Sequence, residues 1–148
     1  MKRQTIEVIS FLFILLFTYA AITKLMELEK FRIQIGQSPL LTDIARPVAV
    51  IVPVTEILIS FLLAIPKLRF IGLLMALNLM VMFTTYVFII MNFSEYIPCS
   101  CGGVLQSLGW QGHLILNLVF VVLGIIGVLV YSNGAAKKNH SIKDILLQ

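Results

Sequence analysis

Cys99 and Cys101 are the only cysteines of the 148-residue chain, and they stand one residue apart in Pro98-Cys99-Ser100-Cys101-Gly102-Gly103. Closing a disulfide across a single intervening residue makes a small ring whose geometry departs from the relaxed range. Strained, exposed disulfides have higher reduction potentials and exchange readily with other thiols. Pro98 stiffens one flank, while Gly102 and Gly103 permit positive φ and close approach by another chain. The motif therefore suits transfer of oxidising equivalents better than bracing of a fold. Two other readings stay open. Both cysteines could be reduced and without a role, or they could join His113 or Met91 in holding Cu(I) or Zn(II), ions that soft ligands select. A lone Cys-x-Cys does not supply the four ligands such a site needs.

The compartment of the pair decides among these readings, so the elements that carry it come next. The chain is 59% hydrophobic and 12% charged, with a mean hydropathy of +1.02. A water-soluble domain of this size could not hide so much apolar surface. The sequence is that of a multi-pass integral membrane protein, expected in the cell inner (cytoplasmic) membrane and in contact with lipid. Its net charge of +4 does not suggest a nucleic-acid partner, because the basic residues sit at the ends of apolar runs.

Hydropathy predicts an all-α, four-helix membrane bundle forming one domain, with spans at about 6–24, 47–65, 70–93 and 113–131. The basic start and apolar middle of the first span also resemble a secretory signal peptide. Three further spans need it as an anchor, so it is read as retained. The connector Leu25 to Arg46 reads as a short interfacial helix and a turn. Pro53 should kink the second span, and Trp110 should anchor the cysteine loop at headgroup level. Residues 132–148 form a basic tail whose end reads as a short surface helix.

Four spans put both termini on one side. With termini inside, the cytoplasmic segments hold seven basic residues, Lys2, Arg3, Lys67, Arg69, Lys137, Lys138 and Lys143. The opposite segments hold four, Lys24, Lys30, Arg32 and Arg46, with none in the cysteine loop. The positive-inside rule thus predicts cytoplasmic termini and an outer, oxidising location for Cys99 and Cys101.

Glu56 is the second residue that draws attention, because a carboxylate near mid-bilayer costs about 2.5–3.5 kcal/mol on insertion scales. It must face the bundle interior or be protonated. Rise per residue sets it about 14 Å from the inner end of its span and Asn78 about 12 Å from the inner end of the next. The two are therefore expected partners, either as a polar clasp between helices or in proton handling. Tyr19, Thr84, Thr85, Tyr86 and Asn117 all fall in the outer half. They are candidates for a pocket under the cysteine loop, where a quinone head or a partner peptide would sit.

Ala21-Ile22-Thr23-Lys24-Leu25, Ser38-Pro39-Leu40-Leu41 and Pro53-Val54-Thr55-Glu56 resemble the corresponding parts of the DoxX-like membrane protein superfamily. A loop with Cys-x-Cys-Gly-Gly before the last span resembles its methylamine-utilisation MauE branch. The resemblance runs from about Ile6 to Tyr131 and rests on the order and spacing of short motifs. It implies a four-helix membrane bundle linked with making disulfides in an extracytoplasmic enzyme, and, through DoxX relatives, with quinone-linked oxidation of sulfur compounds. Carried over, Cys99 and Cys101 are the redox pair of a thiol–disulfide oxidoreductase and Glu56 is the buried acid. The bacterial membrane disulfide generators and vitamin K epoxide reductase use Cys-x-x-Cys plus a second shuttle pair. With one pair only, this chain needs a thioredoxin-like or cysteine-containing partner or direct quinone contact. A non-catalytic scaffold or accessory subunit for a maturation or transport partner is the alternative function.

Overall fold

A computed structural model describes residues 2–37, 42–93 and 109–146, and among these residues every regular element is helical. The helices are α1 (Lys2–Met26), α2 (Leu28–Gly36), α3 (Ala45–Ala64), α4 (Arg69–Phe93) and α5 (Gly109–Leu146), with a one-turn 3-10 helix at Thr42–Ile44. Four of them are long and apolar enough to cross a membrane: 3–26, 42–64 (with the one-turn helix), 69–92 and 111–134. The expected all-α, multi-pass architecture is what forms. Each span is helical because lipid offers its backbone amides and carbonyls no partner outside the segment.

The bundle has two distinct ends. At one end α1 finishes, α2 lies, and α3 begins; α4 also finishes there and α5 starts. We call this the α2 end. At the other, the tail end, α1 starts and a tight turn joins α3 to α4, with Leu68 donating to the Ile65 carbonyl at 3.0 Å. Helix α1 packs most extensively on α3, and α4 on α5, while α1 also meets α5.

The main core runs through the bundle from Ile9, Phe13 and Phe17 of α1 to Ile59 and Leu63 of α3 and Leu73, Ala76 and Met80 of α4. Phe13 stacks on Phe17 at 5.7 Å and meets Phe120 of α5 edge-on at 5.2 Å. Large apolar side chains such as Phe11, Phe61, Ile115 and Leu129 point outward, as a lipid-facing surface requires. A second, smaller cluster joins Phe31 and Ile35 of α2 to Ala45 and Ala49 of α3. The short helix expected in the connector thus caps the α2 end and is pinned to the start of α3.

Small residues set the closest helix approaches, a usual device where lipid supplies no hydrophobic drive between helices. A Cβ built on Gly72 would stand 3.0 Å from the Leu63 backbone nitrogen. One on Gly124 would meet Leu77 and Phe13, and one on Gly127 would meet Ile9 and Leu73. Gly109 opens α5 with φ of +65°, a conformation that favours glycine.

Pro53 falls inside the second span as expected, and the tail differs from the sequence reading. Pro53 lies inside α3, where the helix continues through it and buries the ring. Its missing amide withdraws the usual partner of the Ala49 carbonyl. The tail does not break into a separate surface helix: α5 runs unbroken to Leu146. Ala135, Ala136, Lys137 and Lys138 are good helix formers, so one glycine at 134 is not enough to end the helix.

Candidate functional site

The described part of the bundle holds one fully buried acid, and its chemistry begins with the face it occupies. On α3 the buried positions are Ala45, Ala49, Pro53, Glu56, Ile59, Ser60 and Leu63, recurring at three and four residues. Glu56 falls on this stripe and is 0% exposed. On α1 the buried stripe is Ile9, Phe13, Phe17 and Ala21, and Lys24 continues it one turn further on. The two stripes face each other. Lys24 Nζ donates to Glu56 Oε1 at 2.6 Å, with the lysine side chain 15% exposed and the carboxylate side chain sealed.

Aromatic rings complete the surroundings of the ammonium. Lys24 Nζ lies 5.8 Å from the centroid of Phe31 on α2 and 5.5 Å from that of Phe83 on α4. Both distances fall within reach of the attraction between a cation and a ring face. One charge therefore ties together α1, α2, α3 and α4.

Helix α5 brings the remaining polar groups. Its register is fixed by the glycine contacts: Gly124 packs on Leu77 and Phe13, and Gly127 on Leu73 and Ile9. Carried towards the α2 end, this antiparallel register sets Asn117 level with Phe83 and Thr84 of α4, and His113 level with Lys24 of α1. His113 and Asn117 are one turn apart and share a face. Asn117 is 3% exposed. Glu56 Oε2, His113 Nδ1 and Asn117 Nδ2 are all buried without a hydrogen-bond partner.

This geometry changes the partner expected for Glu56. Asn78 lies on the exposed side of α4, outside the stripe formed by Leu73, Ala76, Met80, Val87 and Ile90. Its depth matches that of Glu56 but its face does not, and Lys24 takes the place proposed for it. Of the five outer-half candidates, Asn117 is buried, Thr84 and Tyr86 are half-buried, and Tyr19 and Thr85 are exposed. Thr84 Oγ1 donates to the Met80 carbonyl at 2.6 Å and Thr85 Oγ1 to the Val81 carbonyl at 2.9 Å. The five thus differ in exposure and do not share one buried face; Asn117 stands, by helix register, at the level of Phe83, whose ring adjoins the Lys24 ammonium. Cys99 and Cys101 lie outside the described residues, in the connection between α4 and α5. Met91 and His113, the other proposed soft ligands, are half-buried. Among the described residues no cluster of three His, Cys, Asp or Glu side chains forms.

Lys24 is the site residue that the sequence reading passed over, and His113 entered it only as a possible soft metal ligand. The Cα–Cβ bonds of a helix tilt towards its N-terminus. A lysine at the C-terminal end of α1 therefore leans back along the bundle rather than out of it.

Four apolar spans gathered around one largely buried ion pair define a multi-pass membrane protein with a polar centre. The family model of the methylamine utilisation protein MauE matches residues 2–130. The chain belongs to that family. No curated protein and no solved structure matches it.

Proposed function

We propose that this MauE-family protein serves methylamine utilisation as a membrane thiol–disulfide redox protein, with Cys99 and Cys101 as its exchanging pair. The observation that carries the reading is the pairing of both cysteines in the one connection between α4 and α5, which joins two helix ends on the α2 side of the bundle. The distribution of Lys and Arg favours an extracytoplasmic location for that connection. The family membership supports a role in methylamine utilisation, and the maturing of a partner enzyme is what the resemblance implies.

The chemistry is ordinary exchange. A thiolate of a thioredoxin-like or other cysteine-containing extracytoplasmic partner attacks the Cys99–Cys101 disulfide and forms a mixed disulfide. A second partner thiolate displaces this chain, leaving a partner disulfide and two thiols at Cys99 and Cys101. Two electrons and two protons have then passed to the pair. Reoxidation delivers them to a two-electron acceptor, a lipid-soluble quinone that leaves as quinol.

Two measurements test the reading. A membrane-impermeant thiol reagent applied to intact cells should label the pair only after mild reduction. The Cys99→Ser/Cys101→Ser variant should insert normally and lose partner oxidation. Normal partner maturation with that variant overturns the redox reading.

A further inference from the structure

We propose that Lys24, Glu56, His113 and Asn117 form the binding site for the head group of the quinone. The inference deepens the redox reading, on which it rests for the source of the electrons. It stands on the polar atoms that the bundle buries and leaves unpaired.

Native interiors rarely orphan buried polar groups. Among the described residues four side-chain atoms are orphaned in this way; Ser10 Oγ lies on α1 towards the tail end, while Glu56 Oε2, His113 Nδ1 and Asn117 Nδ2 come from residues that contact or helix register sets near one ammonium. Glu56 and Asn117 are both more than nine-tenths buried. The bundle could have avoided this arrangement with apolar side chains, which pack between spans without such a cost. A ligand that satisfies the orphans accounts for their presence.

The donor set narrows the ligand. Lys24 and Glu56 neutralise each other, so the site does not select an ion. A free cation finds its place taken by the Lys24 ammonium, and a free anion would face the Glu56 carboxylate. What remains is a neutral molecule offering a hydrogen-bond acceptor to the Asn117 amide and, in its reduced form, a donor to Glu56 Oε2. The Phe31 and Phe83 rings beside the ammonium favour a flat, apolar body. A quinone carbonyl meets the first demand, a quinol hydroxyl the second, and the ring the third. The lysine side chain keeps 15% exposure and His113 is half-buried, so the node opens past these two residues. Oxidation of the Cys99 and Cys101 thiols to a disulfide releases two electrons and two protons. Quinone takes up both and becomes quinol.

The test uses the full-length protein in lipid nanodiscs with decylubiquinone as probe and a photoreactive short-chain ubiquinone as label. Binding should be saturable, with labelling on peptides containing Lys24, Glu56 or His113–Asn117 that decylubiquinone competes away. Asn117→Leu, which keeps the side chain's size, should weaken binding at least about tenfold while leaving helix content intact. Glu56→Gln should weaken it as well. Unchanged affinity in a folded Asn117→Leu variant, labelling confined to outward side chains such as Phe61 or Leu129, or ordered water as sole occupant after quinone addition overturns the site. The Cys99→Ser/Cys101→Ser variant separates the two proposals. Its retained binding supports the site even where the redox reading fails. Partner oxidation by a wild-type protein that binds no quinone overturns the site and leaves the redox reading standing.

Discussion

The two ends of the bundle use charge in opposite ways. Near the α2 end, Lys24 and Glu56 meet at 2.6 Å inside the bundle, the carboxylate sealed and the ammonium nearly so. At the tail end, Arg3 bonds Glu7 at 3.0 Å one turn along α1, and Arg69 of α4 stands 4.0 Å from the same carboxylate. There the Arg3 and Glu7 side chains are 92% and 44% exposed. Exposed pairs are screened and contribute little. A buried pair carries a desolvation cost that its own attraction only partly offsets, so it adds little net stability yet is costly to break. The tail end is held instead by close packing at Gly72 and Gly127 and by the Phe70–Tyr131 stack at 4.9 Å. Charge near the α2 end therefore needs another reason to be there, and the orphaned atoms around it supply one.

The largest effect should come from breaking the buried pair on one side. Lys24→Ala leaves the Glu56 carboxylate without its partner and should lower stability by about 3–5 kcal/mol, read by denaturant unfolding in detergent micelles. A loss below about 1 kcal/mol would mean that the pair behaves like its exposed counterpart, and the contrast between the ends would collapse. Replacing both partners, as Lys24→Met with Glu56→Met, should restore stability to near the wild-type value or above it. If the double variant folds well and still supports partner maturation, the pair is a clasp and the scaffold reading gains. If it folds well and fails, the pair belongs to the chemistry.

This outcome bears on how much the sequence could disclose. The four spans were legible because lipid demands long uncharged runs, and Glu56 stood out because a carboxylate within one is costly. Its partner was not legible by depth alone. Counting rise placed Asn78 at the right level, but the faces of an apolar span look alike, so periodicity gives no sign of which side is buried. The signal that remains is the spacing of small and polar residues. Ala45, Ala49 and Ser60 mark the inner face of α3, and Ala21 marks the same face of α1 as Lys24. Counting Lys24 with the basic residues outside the spans overlooked the backward tilt of helical side chains. His113 was read only as a possible metal ligand, because nothing local shows that α5 pairs with the end of α1.

A smaller effect should follow from disturbing packing at the tail end. Gly72→Leu forces a side chain against Leu63 where even a Cβ would stand 3.0 Å from backbone. Backbone cannot yield as a flexible side chain can, so the helices must separate. The expected cost is about 1–3 kcal/mol, with lower thermal stability in micelles. Quinone binding near the α2 end should change much less, since Gly72 lies more than two helical turns from Phe83. A Gly72→Leu protein as stable as the wild type would show that packing does not hold this end, and the charges there would have to be reconsidered.

The smallest effect belongs to the exposed carboxylate. Glu7→Gln removes the acceptor that Arg3 and Arg69 share, but Arg3 remains in solvent or among headgroups. Arg69 keeps its bond from Nε to the Leu63 carbonyl at 3.3 Å, which closes the turn between α3 and α4 independently of Glu7. Stability should fall by no more than about 1 kcal/mol, and added salt should shrink the difference further because exposed charges are screened. The same salt titration on Lys24→Ala should leave its larger deficit nearly intact, since ions do not reach a sealed carboxylate. Measured together, the two titrations give a direct reading of burial at each end. If salt erases the Lys24→Ala deficit as readily as that of Glu7→Gln, then the Glu56 carboxylate is open to solvent, and the case for a ligand that satisfies its second oxygen falls with it.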